Sequence, residues 1–292
     1  MGLIYRAMRG VPFIKMHGLG NDFVVLDARG GAPAVSAASA RAIGDRHRGV
    51  GFDQLLVLEP PRRPDADVFL RIFNTDGSEA EACGNGTRCI AYLMAREKGR
   101  ERIVVETVAG LLETRAGDER HVSVDMGRAR FGWRDIPLAR ECDTLHLPLA
   151  LGQLRDGVAT NMGNPHATFF VADAETIDLA ALGPKLERDP LFPDRANIGV
   201  VQVLSPKRLR FRVWERGVGI TVACGSGACA ALVAAHRRSL AERSAEVVAD
   251  GGTLEIEWRE DGHVTMAGPV AVSFTGTLDP SLLPGGGSWH ST

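Results

Sequence analysis

The chain has 292 residues, of which 34 are lysine or arginine and 36 are aspartate or glutamate, giving a formal net charge of −2. Because the two signs are well mixed and no basic face is studded with aromatic residues, the composition argues against nucleic-acid binding. No apolar run reaches the length of a membrane span, and the opening MGLIYRAMRGVPF lacks the apolar stretch of a secretory signal. We therefore expect a cytoplasmic protein whose five cysteines stay reduced.

Short apolar runs between Gly and Pro breaks predict β-strands through most of the chain. In chain order these lie at 23–28, 55–60, 68–73, 103–107, 121–126, 168–173, 200–204, 209–214, 254–258 and, after Pro269, at 270–274. Helical periodicity predicts four helices, at 36–48, 87–98, 177–187 and 228–238. Many strands with few helices favour an α+β fold over a doubly wound parallel sheet.

One motif occurs twice in the chain. ACGNG at 82–86 and ACGSG at 223–227 each open an alanine-rich apolar run. At the same offset, RIFNTDG at 71–77 aligns with RVWERGV at 212–218, so each copy is a strand, a polar turn, a cysteine and a helix. We interpret the chain as a duplication that gives two similar domains, each large enough for its own core.

The predicted boundary between the two domains lies near 125–127. The first domain is expected at 1–125 and the second at 126–269, with a strand near 270–282 that returns to the first. The Gly-rich segment 283–292 is expected to be a flexible tail. Each domain is predicted to wrap a mainly antiparallel sheet around the helix that follows its cysteine.

Cys83 and Cys224 differ from the other cysteines because a glycine-containing turn and a helix follow each of them. This pattern predicts a thiol at a helix N-terminus, where backbone N–H groups and the helix dipole favour the thiolate. Cys89, Cys142 and Cys229 are interpreted as small buried hydrophobic residues. No cysteine or histidine lies at metal-ligand spacing, so no metal is expected, and no CxxC motif indicates a redox dithiol.

Two thiols facing one site suit the inversion of a carbon centre. Inversion by proton exchange needs a base on one face of the carbon and a proton donor on the other. Negative charge then grows on the neighbouring carboxylate, and backbone N–H groups at the two helix starts would stabilise it. These N–H groups belong to Gly84, Asn85, Gly225 and Ser226. No cofactor is required, although a Schiff base on one of four lysines stays open.

Six strings give the chain a resemblance to the diaminopimelate epimerase family. They are KMHGLGNDF (15–23), DRHRGVGFDQ (45–54), FNTDGSEAEACGNGTRC (73–89), MGNPH (162–166), DRANIG (194–199) and ERGVGITVACGSGACA (215–230). The resemblance implies a pyridoxal-independent isomerase that interconverts LL- and meso-diaminopimelate in lysine and peptidoglycan precursor synthesis. It also implies two pseudo-symmetric domains with the site in the cleft between them, and a homodimer.

The resemblance implies a role for each matched position. Cys83 is similar to the family's proton donor and Cys224 to its proton acceptor in the LL-to-meso direction. The amides of the two helix starts would hold the reacting carboxylate. The far end of the substrate would be bound by Asn21, Asn74, Asn164, Asn197 and Arg216. Gln54 and Glu215 would lie near the reacting amino group, with His166 and Glu215 tuning the thiols.

The chain departs from the family just before its second thiol. Where the family commonly has Gly-Glu-Thr, this chain has Gly219, Ile220 and Thr221, which we expect to change substrate affinity more than reaction type. Two alternatives stay open. A proline or hydroxyproline racemase shares the two-cysteine plan but has no use for a distal clamp. A non-catalytic binding protein or a thiol redox sensor could also be built on the same fold.

Overall fold

The structure is a computed structural model that describes residues 10–30 and 35–283. The predicted tail at 283–292, apart from its first residue, and the first nine residues of the segment judged not to be a secretory signal lie outside the described residues. The described α-helices are α1 (Ala37–Gly44), α2 (Gly84–Lys98), α3 (Leu179–Glu187) and α4 (Gly225–Arg237). None of them has the length and apolar character needed to cross a membrane.

The strands are numbered in chain order. They are β1 (Val11–Gly18), β2 (Asn21–Asp27), β3 (Gln54–Glu59), β4 (Val68–Asn74), β5 (Glu79–Ala80), β6 (Arg102–Thr107), β7 (Gly110–Ala116), β8 (Val122–Arg128), β9 (Ala150–Leu151), β10 (Leu154–Arg155), β11 (Val158–Asn161), β12 (Pro165–Phe170), β13 (Asn197–Ser205), β14 (Arg208–Glu215), β15 (Gly219–Thr221), β16 (Ser244–Ala249), β17 (Gly252–Trp258), β18 (His263–Gly268) and β19 (Ala271–Leu278). A short 3₁₀ helix follows at Pro280–Leu282.

The chain divides into two compact units. The first consists of the described residues up to Val122 together with those from Pro269 onward, and the second is Ser123–Gly268. This division comes shortly before the predicted position 125, and β8 runs across it. β19 belongs to the first unit, where it pairs with β1 in antiparallel register.

In the first unit α2 is the central element. It packs on β1, β6 and β7, and its Cys89, Ile90, Ala91 and Met94 are fully buried. The sheet around it is mixed. The pairs β1–β2, β3–β4 and β6–β7 are antiparallel, whereas β2–β3 and β4–β6 are parallel.

The second unit repeats this arrangement around α4. The pairs β11–β12, β13–β14, β16–β17 and β17–β18 are antiparallel, whereas β12–β13 and β14–β16 are parallel. The alanine-rich face of α4 is fully buried because small side chains let the helix approach the strands closely. The predicted α+β fold of two pseudo-symmetric domains, each with a central helix, is confirmed.

The predicted end of the first helix is wrong. The sequence pattern extended that helix to residue 48, but α1 ends at Gly44. The Asp45 carboxylate accepts hydrogen bonds from the N–H groups of His47 and Arg48 at 2.8 and 3.0 Å. Aspartate forms such local turns in competition with the helix, which explains the early end.

Candidate active site

Cys83 and Cys224 are the N-cap residues of α2 and α4, so the predicted placement of both at helix N-termini is confirmed. Both have extended backbone angles, which is usual for an N-cap. Their carbonyls accept the first helical hydrogen bonds, from the N–H groups of Thr87 and Ala228 at 2.8 and 2.9 Å. Each helix therefore begins at the residue directly after its thiol, three residues earlier than predicted.

The two sulfur atoms have different surroundings. Cys83 is half-buried, and its Sγ accepts a hydrogen bond from the backbone N–H of Gly86 at 3.3 Å. Cys224 is only 6% exposed, and its Sγ lies 3.7 Å from the hydroxyl oxygen of Ser226. A backbone N–H can only donate and thus favours a thiolate, whereas a hydroxyl can donate or accept. The duplicated motif thus gives two similar but inequivalent thiols.

The second glycine of each motif lies in close contact with a strand. A Cβ on Gly86 would lie 3.1 Å from the Leu56 side chain on β3. A Cβ on Gly227 would lie 2.8 Å from the ring of Phe211 on β14 and 3.1 Å from Cys224 Sγ. These glycines lie inside the helices rather than in preceding turns, and they let the first helical turn rest directly on a strand.

Of the three cysteines predicted to be small buried residues, Cys89 and Cys229 are buried, whereas the prediction is wrong for Cys142, which lies half-exposed against the core. Cys89 and Cys229 are fully buried within α2 and α4. Burial raises the pKa of the Cys89 thiol to about 12. Cys142 is half-buried against the core of the second unit, and burial raises its pKa as well. Among residues 10–30 and 35–283, no three His, Cys, Asp or Glu side chains are grouped to hold a metal ion.

Four predicted substrate-binding residues of the first unit form two side-chain pairs. Gln54 Nε2 donates to Asn74 Oδ1 at 3.1 Å, and the two residues are partners in the β3–β4 register. Asn85 Nδ2 donates to Asn21 Oδ1 at 3.3 Å. Asn85 is 3% exposed, and its own side-chain oxygen accepts from Arg88 at 2.9 Å. The Asn85 side chain thus supports its neighbours, which leaves its backbone N–H as the group for a ligand.

The sequence analysis missed Asp53, which holds Asn21 in place. Asp53 Oδ2 accepts from Asn21 Nδ2 and from the backbone N–H of Asp22, both at 3.0 Å. Its other oxygen accepts from Arg46 at 3.0 Å. Burial raises the pKa of Asp22, but Arg46 and Lys15 outweigh that effect and hold it at about 2, so the Asp22 carboxylate stays charged. Asp53 belongs to the string DRHRGVGFDQ, and the family resemblance of that string is the signal that could have identified this residue.

The second unit brings together its own set of predicted residues. His166 Nε2 lies 2.7 Å from Asn164 Oδ1. Asn197 Oδ1 accepts from the backbone N–H of Arg216 at 2.9 Å, and Asn197 Nδ2 donates to the carbonyl of Pro165 at 3.1 Å. Asn197 is 3% exposed. It therefore supports the backbone at Arg216, and its contact with a substrate stays a prediction.

His166 is neutral in the folded chain at ordinary pH. Burial lowers its pKa to about 3, and the positive charge of Arg216 adds to the effect. A neutral ring cannot lower a thiol pKa through charge, so any tuning of a thiol by His166 has to act through a hydrogen bond.

We expect the free energy of unfolding to decrease as the pH falls from about 6.5 to about 3. In that range the unfolded chain binds a proton at His166 and the folded chain does not, so acid favours unfolding. Urea unfolding of wild type and His166→Gln at several pH values gives the slope of the free energy of unfolding against pH. This slope should be smaller in the variant. Exposed His47→Gln is the control. An unchanged slope in His166→Gln would contradict this assignment.

Glu215 and Arg216 lie where β14 turns into β15. Arg216 is exposed, and its Nη1 donates to the carbonyl of Asp194 at 3.1 Å. The hydroxyl of Thr221 donates a short hydrogen bond to the Glu215 carboxylate. Ile220, the departure from the family pattern, is 46% exposed on β15. The departure therefore leaves the contact between Thr221 and Glu215 in place.

The two sets of residues occupy equivalent positions in their units. Gln54 and Asn197 each begin a strand that runs parallel to the preceding one in the sheet. Asn74 and Glu215 each end the following strand. Each unit thus presents polar side chains at matching strand ends, followed by a thiol at a helix N-cap.

Solved structures with this fold include enzymes that invert carbon centres. A hydroxyproline epimerase from Agrobacterium vitis has a TM-score of 0.68 and 15% identity, with 94% of each chain covered. A predicted epimerase from Pseudomonas aeruginosa has a TM-score of 0.65 and 19% identity, covering 92% of this chain and 99% of that one. At these identities the likeness establishes the fold alone, which is the two-domain α+β fold that these proteins share.

Sequence comparison narrows this class to one family. The profile of the diaminopimelate epimerase family matches residues 13–132 and 158–272. A diaminopimelate epimerase from Rhodospirillum centenum is 60% identical over 273 residues, which are 94% of each chain. One from Acidiphilium cryptum is 57% identical over 272 residues, 93% of this chain and 98% of that one. The chain belongs to the diaminopimelate epimerase family of isomerases, and the family predicted from the sequence is confirmed.

Proposed function

We propose that this chain interconverts LL- and meso-diaminopimelate without a cofactor, using Cys83 and Cys224 as acid and base. The observation that carries the proposal is the N-cap position of both thiols. In the LL-to-meso direction the Cys224 thiolate removes the proton from the reacting carbon, and the Cys83 thiol protonates the opposite face. In the reverse direction the two thiols exchange roles, because each ends a turnover in the form that the other began with.

The first N–H groups of α2 and α4 are suited to stabilise the charge that develops during this reaction. The first N–H groups of any α-helix have no acceptor within the helix, and the dipole is positive at that end. They can therefore bind the reacting carboxylate as its negative charge grows. The N–H groups we assign to this task are those of Gly84, Asn85, Gly225 and Ser226.

We assign recognition of the far amino-acid head to the polar side chains at the strand ends. This set comprises Asn21, Asn74, Asn164, Asn197 and Arg216. Gln54 and Glu215 are assigned to the reacting amino group. A second zwitterionic head needs several amides and a guanidinium, and proline has no such head. The size of this set favours diaminopimelate over proline as the substrate.

Solvent isotope exchange tests the proposed reaction directly. Purified protein with LL-diaminopimelate in deuterium oxide, without added cofactor, should form the meso isomer with deuterium at the inverted carbon. The products are resolved by chiral chromatography and mass spectrometry. Absence of exchange, or exchange that requires pyridoxal phosphate, would contradict the proposal. Exchange with proline instead would select the racemase alternative.

We also propose that the enzyme is a cytoplasmic homodimer. The reaction requires reduced thiols, which the cytoplasm maintains. The strand β19 exposes two apolar side chains, Val272 at 46% and Phe274 at 50%. The Phe274 ring packs edge-on against Phe13 at a centroid distance of 6.0 Å. Apolar side chains exposed together on a strand favour association, and a second copy of this chain would cover them.

Phe274→Asp is expected to shift the protein from dimer to monomer, because a carboxylate cannot be buried without a partner in an apolar interface. Sedimentation velocity at micromolar protein measures the change. Leu204→Asp is the matched control, since Leu204 is equally exposed, at 50%, on β13 of the other unit. A monomeric wild type, or a Phe274→Asp protein that is still dimeric, would refute the proposed surface.

A further inference from the structure

The turn that carries Arg216 is held by side chains from outside its own hairpin. It spans residues 215–218 and is closed by a backbone hydrogen bond of 3.1 Å, with Gly217 at a φ of +77°. A β-turn does not itself use the N–H groups of its two central residues. The N–H of Arg216 donates to Asn197 Oδ1 and that of Gly217 to Glu187 Oε1, both at 2.9 Å.

Glu187 also holds the residue that leads into this turn. It is the last residue of α3, is 2% exposed, and accepts a hydrogen bond from Trp214 Nε1 on Oε2 at 2.7 Å. One helical turn earlier, Gly183 lies against the same indole, where an added Cβ would come within 2.6 Å of the ring. Residues four apart share one face of a helix, so two consecutive turns of α3 contact Trp214.

The loop that follows α3 connects Glu187 to the Arg216 side chain. Arg195 Nη1 lies 3.7 Å from Glu187 Oε1 and partly compensates its buried charge. The main-chain carbonyl of Glu187 accepts from the N–H of Ala196 at 3.3 Å. Two residues before Ala196, the carbonyl of Asp194 accepts from Arg216 Nη1 at 3.1 Å. Glu187 thus holds the turn through its carboxylate, and its main-chain carbonyl holds the loop that contacts the guanidinium.

We propose that Glu187 is a positioning residue that fixes the Arg216 guanidinium for binding the far carboxylate of the substrate. This inference rests on the proposed function. Trp214 Nε1 and the Gly217 N–H are both donors, so the group that joins them has to accept twice. A carboxylate accepts on both oxygens, whereas a glutamine would direct its NH₂ at one of the donors. The turn would then be held less firmly at Trp214 or Gly217, and the Arg216 guanidinium would no longer be fixed in position.

The decisive variant is Glu187→Gln, which changes shape very little. We expect KM for LL-diaminopimelate to rise about tenfold and kcat to change by less than about threefold, because the far head is bound alike in the ground and transition states. Amide hydrogen exchange in residues 214–218 should become faster. Glu187→Asp keeps an acceptor-only carboxylate with a shorter reach. Glu187→Asp is expected to give a smaller rise in KM, and it is the variant to assay if Glu187→Gln does not fold.

Glu106→Gln is the matched control for buried carboxylate chemistry. Glu106 is 7% exposed, and its Oε2 accepts from the backbone N–H groups of Arg62 and Arg63 at 2.8 and 3.1 Å. It therefore resembles Glu187 in burial and in holding backbone donors, but it acts on a different loop. The control should keep the wild-type KM, and it should lose less thermal stability than Glu187→Gln because one glutamine oxygen can still accept from both N–H groups.

The outcomes separate the inference from the function on which it rests. A folded Glu187→Gln protein with KM within twofold of wild type, or an equal rise of KM in Glu106→Gln, overturns the positioning role. If wild type does not act on LL-diaminopimelate, the proposed function fails. Hydrogen exchange in residues 214–218 then tests the role of Glu187 by itself. Faster exchange in Glu187→Gln supports the conclusion that Glu187 holds the turn, and unchanged exchange overturns it.

Discussion

Replacing Cys83 or Cys224 by alanine is expected to lower kcat by about a hundred- to ten-thousand-fold, the usual cost of losing a positioned acid or base. Both thiols are needed in each direction, because a single group would tend to return the proton to the face it left. The fold should persist, since each cysteine is only the N-cap residue of a helix whose buried face stays intact. Steady-state assays in both directions measure the loss, with circular dichroism as the check on folding.

Cys142→Ala is the matched control for this experiment. Cys142 is a half-buried cysteine that lies outside both N-caps, so its removal should leave turnover close to wild type. Turnover near the wild-type rate in either N-cap variant would refute the two-thiol mechanism. A similar loss in all three variants would instead point to a general effect of cysteine removal on the fold.

Changing Arg216 to methionine is expected to lower kcat/KM for LL-diaminopimelate by about ten- to a hundredfold, mostly through KM, because a hydrogen-bonded charge pair would be lost. Arg216→Lys keeps the charge but not the two-pronged geometry of a guanidinium, so it should lie between wild type and methionine. Parallel assays with LL-diaminopimelate, proline and hydroxyproline measure the effect on each substrate.

Arg208→Met serves as the control for loss of an arginine on the same strand. Arg208 begins β14, is exposed, and lies 3.6 Å from Glu246 at the surface, where ion pairs contribute little. Its kcat/KM should stay near wild type. Proline turnover that survives Arg216→Met would overturn the diaminopimelate assignment and favour the racemase alternative.

The features that the sequence predicted well are local ones. The thiols, their helices and the duplication could be recognised because cysteine, glycine and the alanine-rich run are adjacent in the chain. β1 was missed because Lys15 and His17 interrupt its apolar pattern. In the fold, the Lys15 amine is buried against Asp22 and the carbonyl of Gly51, partners that only the tertiary structure brings near.

The support of the candidate site was harder to predict than the site itself. Asn197 was expected to bind the substrate, but no local pattern indicated that its oxygen also accepts from the backbone N–H of Arg216, which reaches it through the pairing of β13 with β14. Glu187 was predicted only as the end of a helix. Its donors, Trp214 and Gly217, follow far along the chain, so no local pattern indicates them.

The close contact of Gly227 with Phe211 limits how an enzyme of this design can change over generations. Even a methyl group at Gly227 would collide with the Phe211 ring and press on the Cys224 sulfur. Position 227 is therefore closed to larger residues, which keeps the first turn of α4 and the Cys224 sulfur in place. Residues 216–218 of the turn are exposed and their backbone is held by Asn197 and Glu187, so exposed side chains there can vary without moving the sulfur. Laboratory selection for a new amino-acid substrate should be directed at Arg216, Val218 and Ile220, and it should leave Gly227 and the two positive-φ glycines, Gly217 and Gly219, untouched.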